Sequence, residues 1–229
     1  MILKPLGCLH GKGNRVDEHW DNVVYLMPFS SDFIDVKTGT AANAVGSATI
    51  TDEVQFDGSN CCKISTSSDY VDLTVGSLVV NQAFTVEGYV YPLTFGSTEM
   101  CIRTSYNDSR FINIEINSTG VFGIYFRSTG RYYTSANHFN LNQWNHFALT
   151  CVGGATRYYY AFLNGVLQFS RNSGDSGSTS IGSRYRMGRD DVSSRYLRGY
   201  MSNYRVTNGV ARYTTDFTPS FKAFPTMGA

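Results

Sequence analysis

The 229-residue chain predicts an all-β fold, an antiparallel two-sheet sandwich, on three observations. Apolar and polar residues alternate along most segments, and Gly, Asn or Asp interrupts the alternation every ten or so positions, the rhythm of short strands joined by tight turns. No helical period competes over Gln143 to Phe221. Asn164-Gly165 stands between RYYYAFL and VLQF, and an Asn-Gly pair supplies the two positive φ angles of a tight hairpin. The length suits one β domain. Hydrophobic residues make up 42% and charged residues 16%, with 22 Gly, 16 Tyr and 15 Phe, a folded and turn-rich profile. Tyrosine buries its ring while its hydroxyl stays wet, so it suits half-exposed sheet faces and contact surfaces.

Residues 1–16 read as an extended arm, with three Gly, one Pro, three basic and no acidic residues. Stretched at ~3.3 Å per residue it reaches about 50 Å. It is expected to attach to a partner through Ile2, Leu3, Lys4, Leu6, Leu9, Lys12 and Arg15; packing on its own domain is the other outcome. Residues 17–229 then form the domain. Strands are predicted near 22–29, 48–56, 60–65, 70–73, 83–91, 98–104 and 110–117, where Ile112, Ile114 and Ile116 alternate with polar residues, so that one face is buried and the other wet. Further strands are predicted near 121–127, 131–135, 145–152, 157–163, 166–170, 184–188 and 196–206. In 145–152, Phe147, Leu149 and Cys151 alternate with His146, Ala148 and Thr150. Loops are expected at 30–47, 104–110, 171–183 and 188–195, and a helical turn around Ala211 to Thr214. No repeat, heptad or low-complexity tract appears.

Several of these segments carry a family resemblance when taken in order. Trp144 followed by NHFALTCVGG, a hairpin ending in LNG, a Gly-rich segment and RVTNGVARYTTDFTPS resemble the laminin-G-like branch of the concanavalin-A-like jelly rolls. DEHWDNVVYLMPF from Asp17 resembles the family's opening strand, Val54-Gln55-Phe56-Asp57-Gly58 its FDG strand, and Phe84 to Pro92 its next buried strand. The resemblance covers about residues 17 to 226 and is closest to versions found in bacteriophage structural proteins. It implies a jelly-roll sandwich; one scaffold hosts many unrelated sites.

The net charge of +1 gives no pointer to nucleic acid or to an anionic membrane. The distribution is uneven: residues 1–100 hold five basic against twelve acidic residues, and 101–229 hold fourteen against six. Interleaved strands would neutralise the two halves within one molecule; the alternative is head-to-tail attraction between subunits. Cysteines at 8, 61, 62, 101 and 151 have no framework spacing, and adjacent Cys61 and Cys62 point to opposite faces of a strand, so free thiols are expected. Lys4 and Pro5 stand where a signal peptide places its apolar core, and no run approaches the roughly 18 apolar residues of a membrane span. Folding in a cytoplasm, without membrane insertion, is the expectation.

Catalytic chemistry is sparse. Glucanases of this fold carry Glu-x-Asp-x-x-Glu, two of whose carboxylates flank the scissile bond. The nearest segment, Glu115-Ile116-Asn117-Ser118-Thr119-Gly120, has an amide and a glycine where the second and third carboxylates belong, so no enzyme is expected. His10, His19, His138 and His146 are scattered and read as structural, and Cys8-Leu9-His10 is too short to close a zinc site. No cofactor is expected. Asp190 and Asp191 are weak calcium candidates, two acids being more often turn formers than part of the 6–8 oxygens that calcium takes. Arg184, Arg186 and Arg189 mix guanidinium forks with aromatic rings; they either grip carboxylates of a partner protein or acidic glycan, or pair with acids of the chain itself. Trp20 and Trp144 read as core residues. Tyr106, Asn107, Asp108, Tyr132 and Tyr133 complete a candidate glycan or partner surface.

Together these readings predict a non-enzymatic virion subunit of a phage, a capsid decoration or tail accessory protein. It would be assembled in the host bacterial cytoplasm as a homo-oligomer, trimer favoured, and anchored by residues 1–16 to other virion proteins. The alternative is a tail-associated, lectin-like adhesin that binds a host surface glycan.

Overall fold

A computed structural model describes residues 15–75, 78–79, 82–96, 100–106, 112–126, 130–154, 157–173, 180–181, 184–190 and 195–228, with backbone alone at 78–79, 100–106, 135–136, 173 and 180–181. The helical content of the described residues is one 3-10 turn, Trp20–Asn22, far too short to cross a membrane. The strands are β1 (Val23–Met27), β2 (Asn43–Val45), β3 (Thr49–Phe56), β4 (Ser59–Ile64), β5 (Tyr70–Thr74), β6 (Leu78–Val79), β7 (Phe84–Pro92) and β8 (Met100–Tyr106). They continue as β9 (Ile112–Ile116), β10 (Val121–Phe126), β11 (Gly130–His138), β12 (Asn145–Val152) and β13 (Arg157–Leu163). The last four are β14 (Val166–Ser173), β15 (Ser180–Ile181), β16 (Arg184–Met187) and β17 (Gly199–Asn208).

One sheet runs β14-β13-β12-β7-β17-β4-β3, with β1 also paired to β17, and the other runs β11-β10-β9-β8-β16-β5-β2. β6 and β15 form a separate two-stranded ribbon. Every pairing within the sheets is antiparallel, and in each a late strand, β17 or β16, is inserted between earlier ones, the two-layer jelly roll that the sequence predicts. β17 is served on one side by two short strands laid end to end. Met201 faces Cys62 of β4, Arg205 faces Leu26 of β1, and an irregularity at Ser202 and Asn203 separates the two registers.

The main core lies between the sheets, built from alternate residues such as Ile112, Ile114, Ile116, Phe147, Leu149, Tyr185, Met187, Tyr204 and Val206. A second cluster, Val23, Leu26, Phe56, Tyr89 and Phe224, lies on the outward face of the eight-stranded sheet. Trp20 and Trp144 pack half-buried against that second cluster rather than within the main core. It exists because residues 209–228 cross the sheet as a strap. Tyr213 stacks on Phe217 at 3.7 Å, Phe217 N donates to Gly165 O, and Phe224 N donates to Asn203 Oδ1.

The strap corrects two expectations. No helix forms at Ala211 to Thr214, because Arg212 N donates to Thr85 Oγ1, which itself donates to Val210 O, and these sheet contacts hold the chain extended. The polar side of 145–152 is not wet either: His146, Ala148 and Thr150 are buried. Asn113 and Glu115 on β9 are likewise buried, under groups of the neighbouring strands. Three further strands lie where loops or no element were expected: β2 within 30–47, β6, and β15 within 171–183. β8 continues to Tyr106 and β14 to Ser173, each into a span expected to be loop.

Ion pairs join the acidic early chain to the basic late chain inside one molecule, including Asp72 with Arg186, Glu87 with Arg205 and Asp17 with Arg212. Asp72 and Arg186, and Glu87 and Arg205, lie on neighbouring strands, and the strap brings Arg212 to Asp17, so these opposite charges meet within the molecule. Cys61, Cys62 and Cys151 are free and buried. Cys62 faces the main core, whereas the Cys61 thiol donates to Val54 O, the opposite-face arrangement expected of a vicinal pair.

Candidate functional site

The outward face of the seven-stranded sheet carries a row of polar and aromatic residues set by strand register. Arg131 pairs with Tyr125, Tyr125 with Asn113, Asn113 with Thr104, Thr104 with Arg186, and Arg186 with Asp72. The row crosses six strands, about 24 Å at ~4.8 Å per step. A parallel row places Tyr133 opposite Gly123 and Gly123 opposite Glu115.

Both ends of the first row are held rigidly. Arg131 donates from Nε to Glu115 Oε2 at 2.6 Å and from Nη2 to Oε1 at 3.2 Å, a bidentate pair, and Asn113 Nδ2 donates to Glu115 Oε1. Arg131 also stands over the Tyr125 ring at 5.0 Å. Asn113 Oδ1, buried beside them, meets no hydrogen-bond partner among the described residues. At the other end Asp72 accepts from Arg184 and from both Nε and Nη2 of Arg186. The Tyr70 ring lies between the guanidiniums of Arg186 and Arg189, at 4.1 and 4.2 Å, and Arg189 Nη1 donates to Ser67 O.

Beside Arg131 on the same edge strand, Tyr133 is 44% exposed. A Cβ at Gly123 would meet its ring at 2.8 Å, so the ring lies against the sheet where glycine leaves room. Tyr133 is thus an exposed aromatic plate suited to stacking on a ring, with Tyr125 and Arg131 half-buried beside it, whereas Asn113, Glu115, Asp72 and Arg186 are buried.

Of the predicted surface, Tyr133 stands on β11 and Arg184 and Arg186 on β16, four strands apart, with both arginines paired to Asp72 of the chain itself and Arg189 donating to Ser67 O. Tyr132, one residue from Tyr133, points the other way, packs against the main core and lies under Arg171 at 3.7 Å. Tyr106 ends β8, with its backbone opposite Arg184; Asn107 and Asp108 lie outside the described residues. Of the attachment residues, Ile2, Leu3, Lys4, Leu6, Leu9 and Lys12 lie outside the described residues, and Arg15 donates to Ala223 O and Ser220 Oγ of the strap. Asp190 is buried and pairs with Arg195 at 3.6 Å; Asp191 lies outside the described residues. Among the described residues no group of three or more His, Cys, Asp or Glu side chains is placed to hold a metal ion. Asn117 Oδ1 accepts from Thr119 N, Thr119 Oγ1 and Val121 N, so it caps the turn between β9 and β10.

Sequence reasoning missed a second constellation, on the outward face of the eight-stranded sheet beneath the strap. Glu87 Oε1 accepts from Arg205 Nε and Nη2, and Glu87 Oε2 from Tyr213 Oη at 2.9 Å and His146 Nε2 at 3.3 Å. Asp17 accepts from Arg205 Nη1 and from both terminal nitrogens of Arg212. Burial opposes ionisation of Glu87, but Arg205 and the His146 hydrogen bond outweigh it and hold the carboxyl well below the usual range. Burial, followed by the Glu87 charge, pushes the Tyr213 phenol up. The strap and residues 15–18 line an open cleft of about 550 Å³ above this network. The one sequence signal for it was the pairing of an acidic early half with a basic late half.

The family described as the Concanavalin A-like lectin/glucanases superfamily matches residues 65–212, more than half of the chain. Among solved structures, domain 4 of a GH43 extracellular arabinanase from Geobacillus stearothermophilus, in complex with arabinotriose, has a TM-score of 0.62 at 16% identity, over 82% of this chain and 93% of that one. The binding domain of Paraclostridial Mosquitocidal Protein 1 has a TM-score of 0.64 at 13% identity, over 82% of this chain and 49% of its own. The binding domain of botulinum neurotoxin DC, in complex with rat synaptotagmin II, has a TM-score of 0.63 at 10% identity, over 82% and 48%. The chain spans about half the length of these toxin domains, and at such identities the likeness is one of fold. No curated protein sequence matches the chain. On the family match and the interleaved two-sheet topology, the chain belongs to the concanavalin A-like lectin/glucanases superfamily.

Proposed function

We propose that this chain is a non-enzymatic glycan-binding module that binds a saccharide at the Tyr133 end of the outward face of its seven-stranded sheet. The observation that carries the reading is the Tyr133 ring laid over Gly123 beside the locked Glu115–Arg131 pair, within a row that runs on to Arg186 and Asp72. A sugar ring stacks on such a plate, with the half-buried Tyr125 and Arg131 beside it. The arabinanase domain solved with arabinotriose lends support by analogy of fold. The absence of catalysis is part of the proposal: the Glu115 carboxylate is engaged by Arg131 and Asn113, and Asn117 is committed to a turn. A glycan array on the full chain tests it. Saturable binding to at least one saccharide family, reduced at least tenfold in Tyr133→Ala, is the expected result. No binding, or binding indifferent to Tyr133, would reject it.

Display on a phage particle is the finer form of the same reading, supported by the resemblance to phage structural proteins and by the arm-like composition of residues 1–16. In that form the module is a decoration or tail accessory subunit, trimeric by preference, with virion proteins as partners and a host surface glycan as target. Deleting residues 1–16 then abolishes particle incorporation while the domain stays folded; a truncated chain that still joins particles rejects the anchoring role.

A further inference from the structure

The strap and the segment that leads into the domain are fastened to each other through one buried residue. Asp17 is 4% exposed and touches the strap at both ends. Near the strap's start, Asp17 Oδ1 and Oδ2 accept from Nη1 and Nη2 of Arg212 at 2.9 and 2.8 Å. At its far end, the Asp17 backbone N–H donates to Met227 O at 2.9 Å, and Asp17 forms a parallel bridge with Gly228. Between these points Arg15 donates from Nη1 to Ala223 O and from Nη2 to Ser220 Oγ. The strap contributes no strand of its own, so discrete bonds such as Phe217 N to Gly165 O and Phe224 N to Asn203 Oδ1 take the place of a ladder. A segment held in this way opens at a lower free energy than the strands beneath it.

Asp17 also balances charge beneath the strap. In the buried network the guanidiniums of Arg205 and Arg212 face the carboxylates of Glu87 and Asp17. Without the Asp17 carboxylate one cation is in excess, and a buried cation without its counter-ion is strongly unfavourable. Arg205 keeps its fork onto Glu87 from within β17. Arg212 belongs to the strap and keeps its bond to Thr207 Oγ1 and a 3.7 Å approach to Glu87, so it is the group that can carry its charge out to water. The main core lies on the other face of the sheet and uses none of these residues. Both tryptophans of the chain, Trp20 and Trp144, pack half-buried against the cluster of Val23, Leu26, Phe56, Tyr89 and Phe224 on the strap's side of the sheet, so movement of the strap changes their surroundings.

We infer that Arg15 and Asp17 form a latch on the strap, so that their hold, rather than the sandwich, decides whether the outward face of the eight-stranded sheet is covered. While they are seated the strap is closed; when they are withdrawn it opens as a unit above intact sheets. Amide hydrogen exchange on the full chain at neutral pH tests the latch, comparing the parent protein with Asp17→Asn and Arg15→Ala. In Asp17→Asn the amides of Arg212, Phe217, Ala223 and Phe224 exchange at least tenfold faster and tryptophan emission moves to the red, while amides within β9 and β12 change by less than about twofold. Arg15→Ala, at an exposed contact, accelerates Ala223 and Phe224 by a smaller factor. Strap amides that exchange in Asp17→Asn as they do in the parent overturn the inference. So does equal acceleration in strap and strands, or failure of Asp17→Asn to fold, because the strap is then no separate unit. The latch does not rest on the saccharide reading: an empty glycan array leaves it standing, and an unmoved strap leaves that reading standing.

Discussion

Arg205 donates to Glu87 from Nε at 3.0 Å and from Nη2 at 2.7 Å, and the two side chains are 5% and 0% exposed although both project from the outward face of a sheet. They are dry because Tyr213, Phe217 and Phe224 of the strap roof the face, with the Arg205 guanidinium 3.9 Å from the Phe224 ring. A contact 118 residues apart in sequence thus couples β7 and β17 to a tail that forms no strand of its own. Buried pairs of this kind are costly to break and not intrinsically costly to replace.

Glu87→Ala is expected to destabilise the fold by about 3–5 kcal/mol, because Arg205 then stays buried with only Asp17 to offset it. The double variant Glu87→Leu with Arg205→Met removes both charges and should lose less than the single one. Urea unfolding midpoints measure both. A double variant at least as unstable as the single one would show that the pair contributes net stability rather than avoiding a penalty.

Acid should weaken the same network. Burial opposes the ionised forms of Glu87 and Asp17, yet the surrounding arginines hold both carboxyls below their unfolded values. A carboxyl lowered in this way adds stability at pH above its unfolded value, roughly 4, and that stability is lost as pH falls toward the folded value. Unfolding midpoints at constant ionic strength should drop from about pH 5 downward. The drop should be shallower in Glu87→Gln, though not absent, since Asp57 and Asp69 are also lowered against the effect of burial by their hydrogen bonds. Equal slopes in the two proteins would place the acid sensitivity elsewhere.

Gly165→Ala tests the strap's seat. Its φ of +81° disfavours any side chain, and the new Cβ meets the Phe217 carbonyl and Pro219. A loss of about 1–3 kcal/mol is expected, together with faster proteolytic cleavage within 213–225. Gly39 is the control: it has a similar φ of +73° with nothing within 4 Å, so Gly39→Ala should strain its turn without releasing the strap.

The strands were legible where one face alternates, as at Ile112 to Ile116 and Phe147 to Cys151, because period two reports burial on the side that meets the other sheet. Burial of the opposite side was not legible. Glu87, His146 and Asn113 are polar residues on outward faces, and a local pattern cannot tell water from a strap or from an arginine on the next strand. Hydrophobic spacing alone left the tail's course unresolved, since its rings at 213, 217, 221 and 224 have nearly helical intervals while Thr85 and Gly165 hold its backbone extended. The surface residues were half legible: neighbours on one strand such as Tyr132 and Tyr133 are alike in sequence and opposite in direction, and only register decides which faces out.

The buried thiols should be inert. Burial pushes Cys61 up to about 12 and Cys151 to about 11, and raises Cys62 well above its ordinary value. The thiolate is the reactive form, so at pH 8 these three should resist alkylation in native protein and react on unfolding. Mapping labelled peptides by mass spectrometry checks this; native labelling of Cys62 would mean that the β4 region opens locally.

Gly123→Ala separates the Tyr133 plate from the rest of the proposed saccharide surface. The added methyl stands 2.8 Å from Tyr133 Cε1 and 2.9 Å from Cδ1, and the clash is with an exposed ring that can swing away, whereas the next contact, Glu115 Cβ, lies at an ordinary 3.7 Å. The fold should therefore change by less than about 1 kcal/mol, in line with other substitutions away from the core. The ring loses its seat against the sheet. If stacking on Tyr133 carries recognition, affinity for an array-identified saccharide should fall roughly tenfold, about 1.4 kcal/mol, in isothermal titration. The Glu115–Arg131 pair lies beyond reach of the methyl, so hydrogen-bonding contributions should persist and the loss should be smaller than in a variant that removes Arg131 as well. Unchanged affinity in Gly123→Ala with loss in Arg131→Ala would shift recognition from the ring to the polar row.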